Sequence, residues 1–493
     1  MLSILKSEKT LNFGIFSFLI LIILLRYPDL IFSPRMYAEE YLYYETFLNA
    51  KTWWEGFDAL IYPAYYVLSS RIAAFAAVQF DPIYAPLITS LFGLIVLAIP
   101  LTIIFFTESK YWKSLKSKLI LSLFIVFSLS TGEVWLNSTA TGFIFPIAAF
   151  LILLDKNIKG IFKFSYYSLI LILGILSGPI TLLMSPFFLI RFLKEKDLVS
   201  FLFCAIFLIF GLFQIMFFFV SYEAGIISVN RGTNIELSFF ERFYYWISPN
   251  IIFPIFGYFA SLIFRMSAVG INSPEEILLL LTNINSLMPS SFYYLIESIF
   301  LFLINWSNTF NVIILFLIIY FFLKAFIQSD FEERVYFIIL FLYLSFITSF
   351  LSLAGHGGFR YSLITGFILL VYIYKKSLNI GKPMLKSVPG LLVCLSITFG
   401  VIEYYPRVIS YTPDKLFSSN ANWPIWENEL KKWEMDSHYK PRIWPYLKER
   451  DVIWPERTAV YSINMNDQES WTTQGQLRFS DELINRLKLK FIK

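Results

Sequence analysis

Apolar runs recur along nearly the whole length of this chain, and that feature decides most of what it can fold into. Runs rich in Leu, Ile and Phe occupy roughly 10–26, 84–106, 118–131, 138–154, 164–176, 178–193, 199–220, 309–327, 335–353, 361–375 and 388–402. A helix needs about 20 apolar residues to cross a bilayer core. Lipid offers no partner for backbone N–H and C=O groups, so such crossings are made by helices that satisfy their own backbone. Several runs are shorter than this and borrow flanking aromatic residues. Of 493 residues, 57% are hydrophobic and 15% charged, against about 25% charged in soluble domains. The expected fold is an all-α polytopic membrane protein with about 11–13 transmembrane helices. The membrane domain covers 1–402, and a small Trp- and Pro-rich extracytoplasmic domain follows at 403–493.

Charge orients the chain. The net charge of +5 sits mainly in short loops, so it reports topology and argues against nucleic acid as a partner. Lys6 and Lys9 precede the first run. Further groups are Lys110–Lys118, Lys156–Lys163, Arg191–Lys196 and Lys375–Lys386. With eleven spans and the N-terminus cytoplasmic, all of these fall on the cytoplasmic side. The opposite side then receives the first loop (27–83), the 221–308 region, the stretch 355–361 and the tail from Glu403. The first run has a basic start and no small-residue cleavage site, so it is expected to be retained as a span. Residues 59–80, interrupted by Pro63 and Arg71, are expected to lie as helices in the outer interface. Residues 250–304 form either one extra hairpin or outer surface, with the same parity. A hairpin is expected at Ser177-Gly178-Pro179, either a plain turn or a broken point lining a cavity. Cys204 and Cys394 lie in apolar runs and form no metal-ligand pattern.

Four polar foci on the outer side are candidates for chemistry. Glu39 and Glu40 sit among tyrosines just after the first run. They are either a site at the membrane surface or a solvated helix start. The stretch Gly355-His356-Gly357-Gly358-Phe359-Arg360-Tyr361 offers backbone N–H groups and a guanidinium that suit a phosphate. Its plainer alternative is a glycine turn with a snorkelling Arg. Glu133 and Asn137 can share one helix face at the next outer turn, binding a sugar or supporting the first-loop acids. A polar turn without a role is the alternative there. Arg71 is either a phosphate ligand or an interface anchor. Aromatic residues of the tail suit sugar stacking or ordinary packing. Nucleotide-cradling glycine loops, nucleophile elbows and zinc helices are absent from the sequence, and there are only two His.

These foci occur in an order that resembles bacterial multi-pass membrane glycosyltransferases of the GT-C superfamily. More narrowly, the chain resembles an uncharacterised bacterial group whose first outer loop reads F-x-x-P-x-x-x-A-E-D-G. Here that segment runs Phe32-Ser33-Pro34-Arg35-Met36-Tyr37-Ala38-Glu39-Glu40-Tyr41. Glu40 stands where the group has Asp, and Tyr41 where it has Gly. The segment ending at Arg71, the Glu133–Asn137 turn, Leu176-Ser177-Gly178-Pro179, Gly357–Tyr361 and Trp423-Pro424-Ile425-Trp426 are similar too. The resemblance implies an enzyme of the bacterial inner (cytoplasmic) membrane acting on the extracytoplasmic side. Its donor would be a polyprenyl-phosphate- or diphosphate-linked sugar, and its acceptor a glycan, a lipid-linked or another cell-envelope molecule. Glu40, or Glu39, would take the acceptor proton. Arg360, with Arg71 as second candidate, would stabilise the leaving phosphate. His356, Tyr361, Glu133 and Asn137 would complete substrate binding. Some relatives use a divalent cation (Mg or Mn) beside the carboxylates and others do not, so no metal ligand is assigned. The competing classes are an O-antigen polymerase, expected to carry Arg-rich outer loops, and a non-enzymatic glycan translocator or assembly protein. A translocator would place charges inside several spans, whereas here charges sit at span ends.

Overall fold

The computed structural model describes residues 8–34, 36, 40–61, 65–129, 134–225, 246–257, 260–261, 318, 320–350, 359–379, 386–404, 425–436, 439 and 441. The regular elements among them are helical. In chain order they include α1 (Glu8–Arg26), α2 (Asp29–Phe32), α3 (Glu40–Asn49), α4 (Trp53–Asp58), α5 (Leu68–Ala77) and α6 (Ala85–Phe106). Then come α7 (Leu115–Leu123), α8 (Phe145–Leu154), α9 (Ile161–Ser177), α10 (Pro179–Leu182), α11 (Ser185–Glu195) and α12 (Leu198–Glu223). The series continues with α13 (Leu340–Phe350), α14 (Leu363–Asn379), α15 (Val388–Ile402) and α16 (Trp426–Met435). Short polar side chains set several starts. Asp197 accepts from the Ser200 N–H at 2.9 Å before α12, and Ser387 accepts from the Gly390 N–H at 3.2 Å before α15. Proline occupies the first turn of α6, α8, α10, α11 and α15, where its missing N–H costs nothing.

Among the described residues, three helices are long and apolar enough to cross a membrane: α1, the stretch Pro82–Phe106, and α12. A fourth crossing results if α9 and the helix Pro179–Glu195 count as one span, although they meet at a bend of 120°. Gly178 begins that bend as the C-cap of α9. Other apolar runs are helices too short for the same test, or are interrupted. The run 118–131 passes from α7 into a π turn at Phe124–Ser128, and 335–353 begins with a π turn at Arg334–Ile339.

The chain divides into two compact units. The first comprises Met1–Ser109, Glu133–Val229 and Ser419–Lys493, and the second Lys110–Gly132 and Asn230–Ser418. In the first, α5 packs against α3, α4, α6 and α9, burying Ser69, Ser70, Arg71, Ala73, Ala74 and Ala77. Small Ser and Ala side chains let neighbours approach α5 from several sides, so it sits inside the protein. Gln214 of α12 pairs with both backbone groups of Tyr66, accepting from its N–H at 3.1 Å and donating to its carbonyl at 3.0 Å. The described helix of the tail, α16, lies on the first loop. Trp426 and Leu430 cluster with Met36, Tyr44, Ala77 and Ala85, and Trp426 Nε1 donates to Pro82 O at 2.8 Å.

In the second unit α15 packs on α14 and on the π turn at Phe124–Ser128. Gly400 is required there, because a Cβ would come 2.7 Å from the Phe127 carbonyl carbon. Asn250 is buried and bonds Trp246 O, Ser349 Oγ and Thr365 Oγ1. Several of the Lys and Arg used to orient the chain are ion-paired. Lys110 meets Glu332 at 2.6 Å, while Lys375 and Lys376 meet Glu333 at 2.9 and 2.6 Å. In the first unit Lys163 meets the buried Asp155 at 2.7 Å. Arg191 caps α8 through Ile152 O at 2.9 Å.

Candidate functional site: a buried carboxylate cluster

Glu40 opens α3, and its side chain is almost wholly out of water, 2% exposed. The chain does not leave it unsatisfied. Glu40 Oε1 accepts from the Ser138 N–H at 2.6 Å and from Ser138 Oγ at 2.8 Å. Glu40 Oε2 accepts from Thr89 Oγ1 of α6 at 3.2 Å. The three donors come from two distant segments, and each is neutral. Such bonding is what a buried carboxylate demands.

The Ser138 turn is itself held from behind. Leu136 adopts a left-handed conformation, φ 48°. Asn137 Oδ1 then accepts from the Ala140 N–H at 2.7 Å and from Thr139 Oγ1 at 2.9 Å, starting the 3₁₀ helix Thr139–Phe143. Ser70 Oγ of α5 donates to the Ser138 carbonyl at 3.1 Å. Thr141 Oγ1 lies 2.7 Å from the same carbonyl and 2.6 Å from Ser69 Oγ. The Ser69 N–H in turn donates to Ser177 Oγ at 3.0 Å. Two glycines admit this packing: a Cβ on Gly93 would lie 2.6 Å from the Asn137 nitrogen, and one on Gly142 2.5 Å from Ser177 O. The hairpin apex at Ser177-Gly178 is therefore packed into the turn. On its other side Trp135 Nε1 donates to Ile23 O at 3.2 Å, and the Arg26 guanidinium lies 4.4 Å from the Trp135 ring.

Arg71 occupies a different place from the one its sequence context favoured. It is fully buried. Its Nη1 donates to Gly56 O at 2.7 Å and Phe57 O at 3.1 Å, and its Nη2 to Ala59 O at 2.8 Å. Its carbon Cζ lies 4.4 Å from the Tyr66 ring. These carbonyls belong to the C-terminal end of α4, so Arg71 caps that helix. Three of the five guanidinium N–H donors go to backbone carbonyls, so in this structure Arg71 serves the end of α4. Asn137 lies in an irregular turn, and its side chain is used locally.

Glu39, Glu133 and His356 lie outside the described residues. Arg360 and Tyr361 belong to the second unit, in the 3₁₀ helix Phe359–Ser362. Both are half-buried, and the Arg360 guanidinium lies 5.4 Å from the Tyr361 ring. The structure thus gathers Glu40, the Asn137 turn and the neighbours of Arg71 into one unit. Among the described residues, no group of three or more His, Cys, Asp or Glu forms a metal cradle. Sequence reasoning missed Thr89, Ser138, Ser69, Ser70, Thr141 and Ser177. Short hydroxyls carry no signal of their own, although the adjacent Ser69-Ser70-Arg71 in an Ala-rich helix is a visible irregularity. Compared with family models, curated proteins and solved structures, the chain matches none of them.

Proposed function

We propose that this protein is a bacterial inner-membrane glycosyltransferase of GT-C type, with about 11–13 spans. In this reading it transfers a sugar from a polyprenyl-phosphate- or diphosphate-linked donor to a glycan, lipid or other cell-envelope acceptor. Transfer takes place on the extracytoplasmic side, where the tail from Glu403 also lies. A first-outer-loop Glu serves as general base and Arg360 binds the donor phosphate. The observation that supports the reading is the buried Glu40 cluster. Ionisable groups enclosed by apolar helices are costly and are kept where function needs them. Here the carboxylate joins the first outer loop to Ser138, next to the Glu133–Asn137 segment of the resemblance, and to Thr89 of α6. The test is turnover by the purified full chain in nanodiscs, offered a panel of polyprenyl-phosphate and polyprenyl-diphosphate sugars. Release of the lipid phosphate with transfer of the sugar is expected. Absence of both turnover and saturable binding across the panel would remove the proposal.

A further inference from the structure

We infer that Glu40 is a positioning residue, a clasp between the first outer loop and the turn at 137–139, and that it is not the group that takes the acceptor proton. The second half of this inference rests on the proposed transferase reading, while the clasp stands on geometry alone. A general base must come within about 2.6–3.2 Å of the hydroxyl it deprotonates. Glu40 is 2% exposed, and each of its oxygens already holds a donor from the chain: Ser138 N–H and Oγ on one, Thr89 Oγ1 on the other. Oε2 retains acceptor capacity, so the exclusion rests on burial: an acceptor hydroxyl would have to enter a site that leaves Glu40 2% exposed.

The two sides of the clasp differ in how they are fixed. Ser138 is immobilised by the Ser70 bond to its carbonyl, by the cap that Asn137 forms, and by the close approach of Gly93. The first outer loop gains from Glu40 a tie to that fixed turn and to α6. Glu40 therefore acts on chemistry through the loop it holds in register. The neutrality of the three donors has a consequence. A Gln at this position keeps the shape: its carbonyl takes the two Ser138 donors, and its NH₂ donates to Thr89 Oγ1, which also lies 3.1 Å from Pro86 O and turns its proton there. Charge is dispensable to these three contacts and indispensable to a base.

The experiment compares Glu40→Gln, Glu40→Ala and Ser138→Ala in nanodiscs by two measurements. One is hydrogen exchange across α3 (Glu40–Asn49), the side that Glu40 holds, and at the Ser138 N–H in the full chain, which needs no activity. The other is kcat and KM for whichever donor the wild type turns over. The inference predicts wild-type protection of α3 and of the Ser138 N–H in Glu40→Gln and lost protection of both in Glu40→Ala, with Ser138→Ala between them. It also predicts a kcat for Glu40→Gln within about tenfold of wild type, against the roughly 10²–10⁴-fold loss expected for a general base. Wild-type protection together with a kcat loss of that size in Glu40→Gln would overturn the positioning role. Unchanged protection in Glu40→Ala, or loss of protection in Glu40→Gln, would overturn the clasp. If no donor is turned over by the wild type, the transferase reading fails, and the exchange data still decide the clasp.

Discussion

Glu40 and Glu333 are both carboxylates withdrawn from water, 2% and 4% exposed, yet they are held in contrasting ways. Glu40 receives a backbone N–H and two short hydroxyls, groups that are neutral and fixed by the fold. Glu333 receives two ammonium groups on long stems, Lys375 at 2.9 Å and Lys376 at 2.6 Å. Those lysine side chains remain 20% and 26% exposed. The Glu333 cluster is an ion-pair tie whose partners can return to water when it is broken. The Glu40 cluster is a shape-specific junction that includes the Ser138 N–H, a backbone donor held in a buried turn. The strength of a buried carboxylate's hold therefore depends less on the charge facing it than on what its partners do once it is gone.

The comparison breaks most directly under truncation. Glu40→Ala strands the Ser138 N–H and opens a void, an expected loss of about 2–4 kcal/mol. Glu333→Ala is expected to cost less than Glu40→Ala, because Lys375 and Lys376 turn to solvent. Thermal unfolding in one detergent measures both, and equal losses would erase the distinction. Next in size is Arg71. Arg71→Met keeps volume but leaves the carbonyls of Gly56, Phe57 and Ala59 without their donor, at about 2–3 kcal/mol. Arg71→Lys is expected to recover part of that stability and to leave polyprenyl-phosphate affinity unchanged. A fall in affinity with stability intact would identify Arg71 as a phosphate ligand.

The smallest effect is a pH dependence. Burial alone would raise the Glu333 carboxyl, but hydrogen bonds from Lys376 and Lys375 outweigh it and draw it down to about 2. A carboxyl lowered on folding contributes stability that is present above its ordinary value of 4.5 and is lost as pH falls toward 2. Melting temperatures of wild type and Glu333→Gln are thus expected to differ above pH 4.5 and to converge below it. A gap that persists at low pH would contradict the ion-pair account.

Part of this was legible in the sequence. The apolar runs required helices, and proline in first turns with Ser or Asp caps marked where many begin. Glu40 stood out as an acid just beyond a span, and Ser177-Gly178-Pro179 marked the break that the structure bends by 120°. The partners of Glu40 were not legible. Ser138 lies 98 positions away, and which hydroxyl meets a carboxylate is set by how helices pack. Arg71 shows the same limit from the other side. A lone cation in an apolar segment looks like a ligand until the chain folds the end of α4 onto it. Asp155 and Glu333 passed unnoticed because acids beside basic loops look solvated in sequence.

The proposed binding of a lipid phosphate by Arg360 is tested most directly by photolabelling with a diazirine-bearing polyprenyl phosphate. Labelled peptides from the full chain in nanodiscs would be mapped by mass spectrometry. The account predicts saturable label in the peptide that carries Arg360, displaced by unlabelled polyprenyl phosphate and weakened by Arg360→Lys, since Lys cannot supply the planar two-pronged contact. Label that does not saturate, that spreads over exposed helix faces such as Leu208 and Leu212 of α12, and that ignores competitor and Arg360→Lys alike would contradict it.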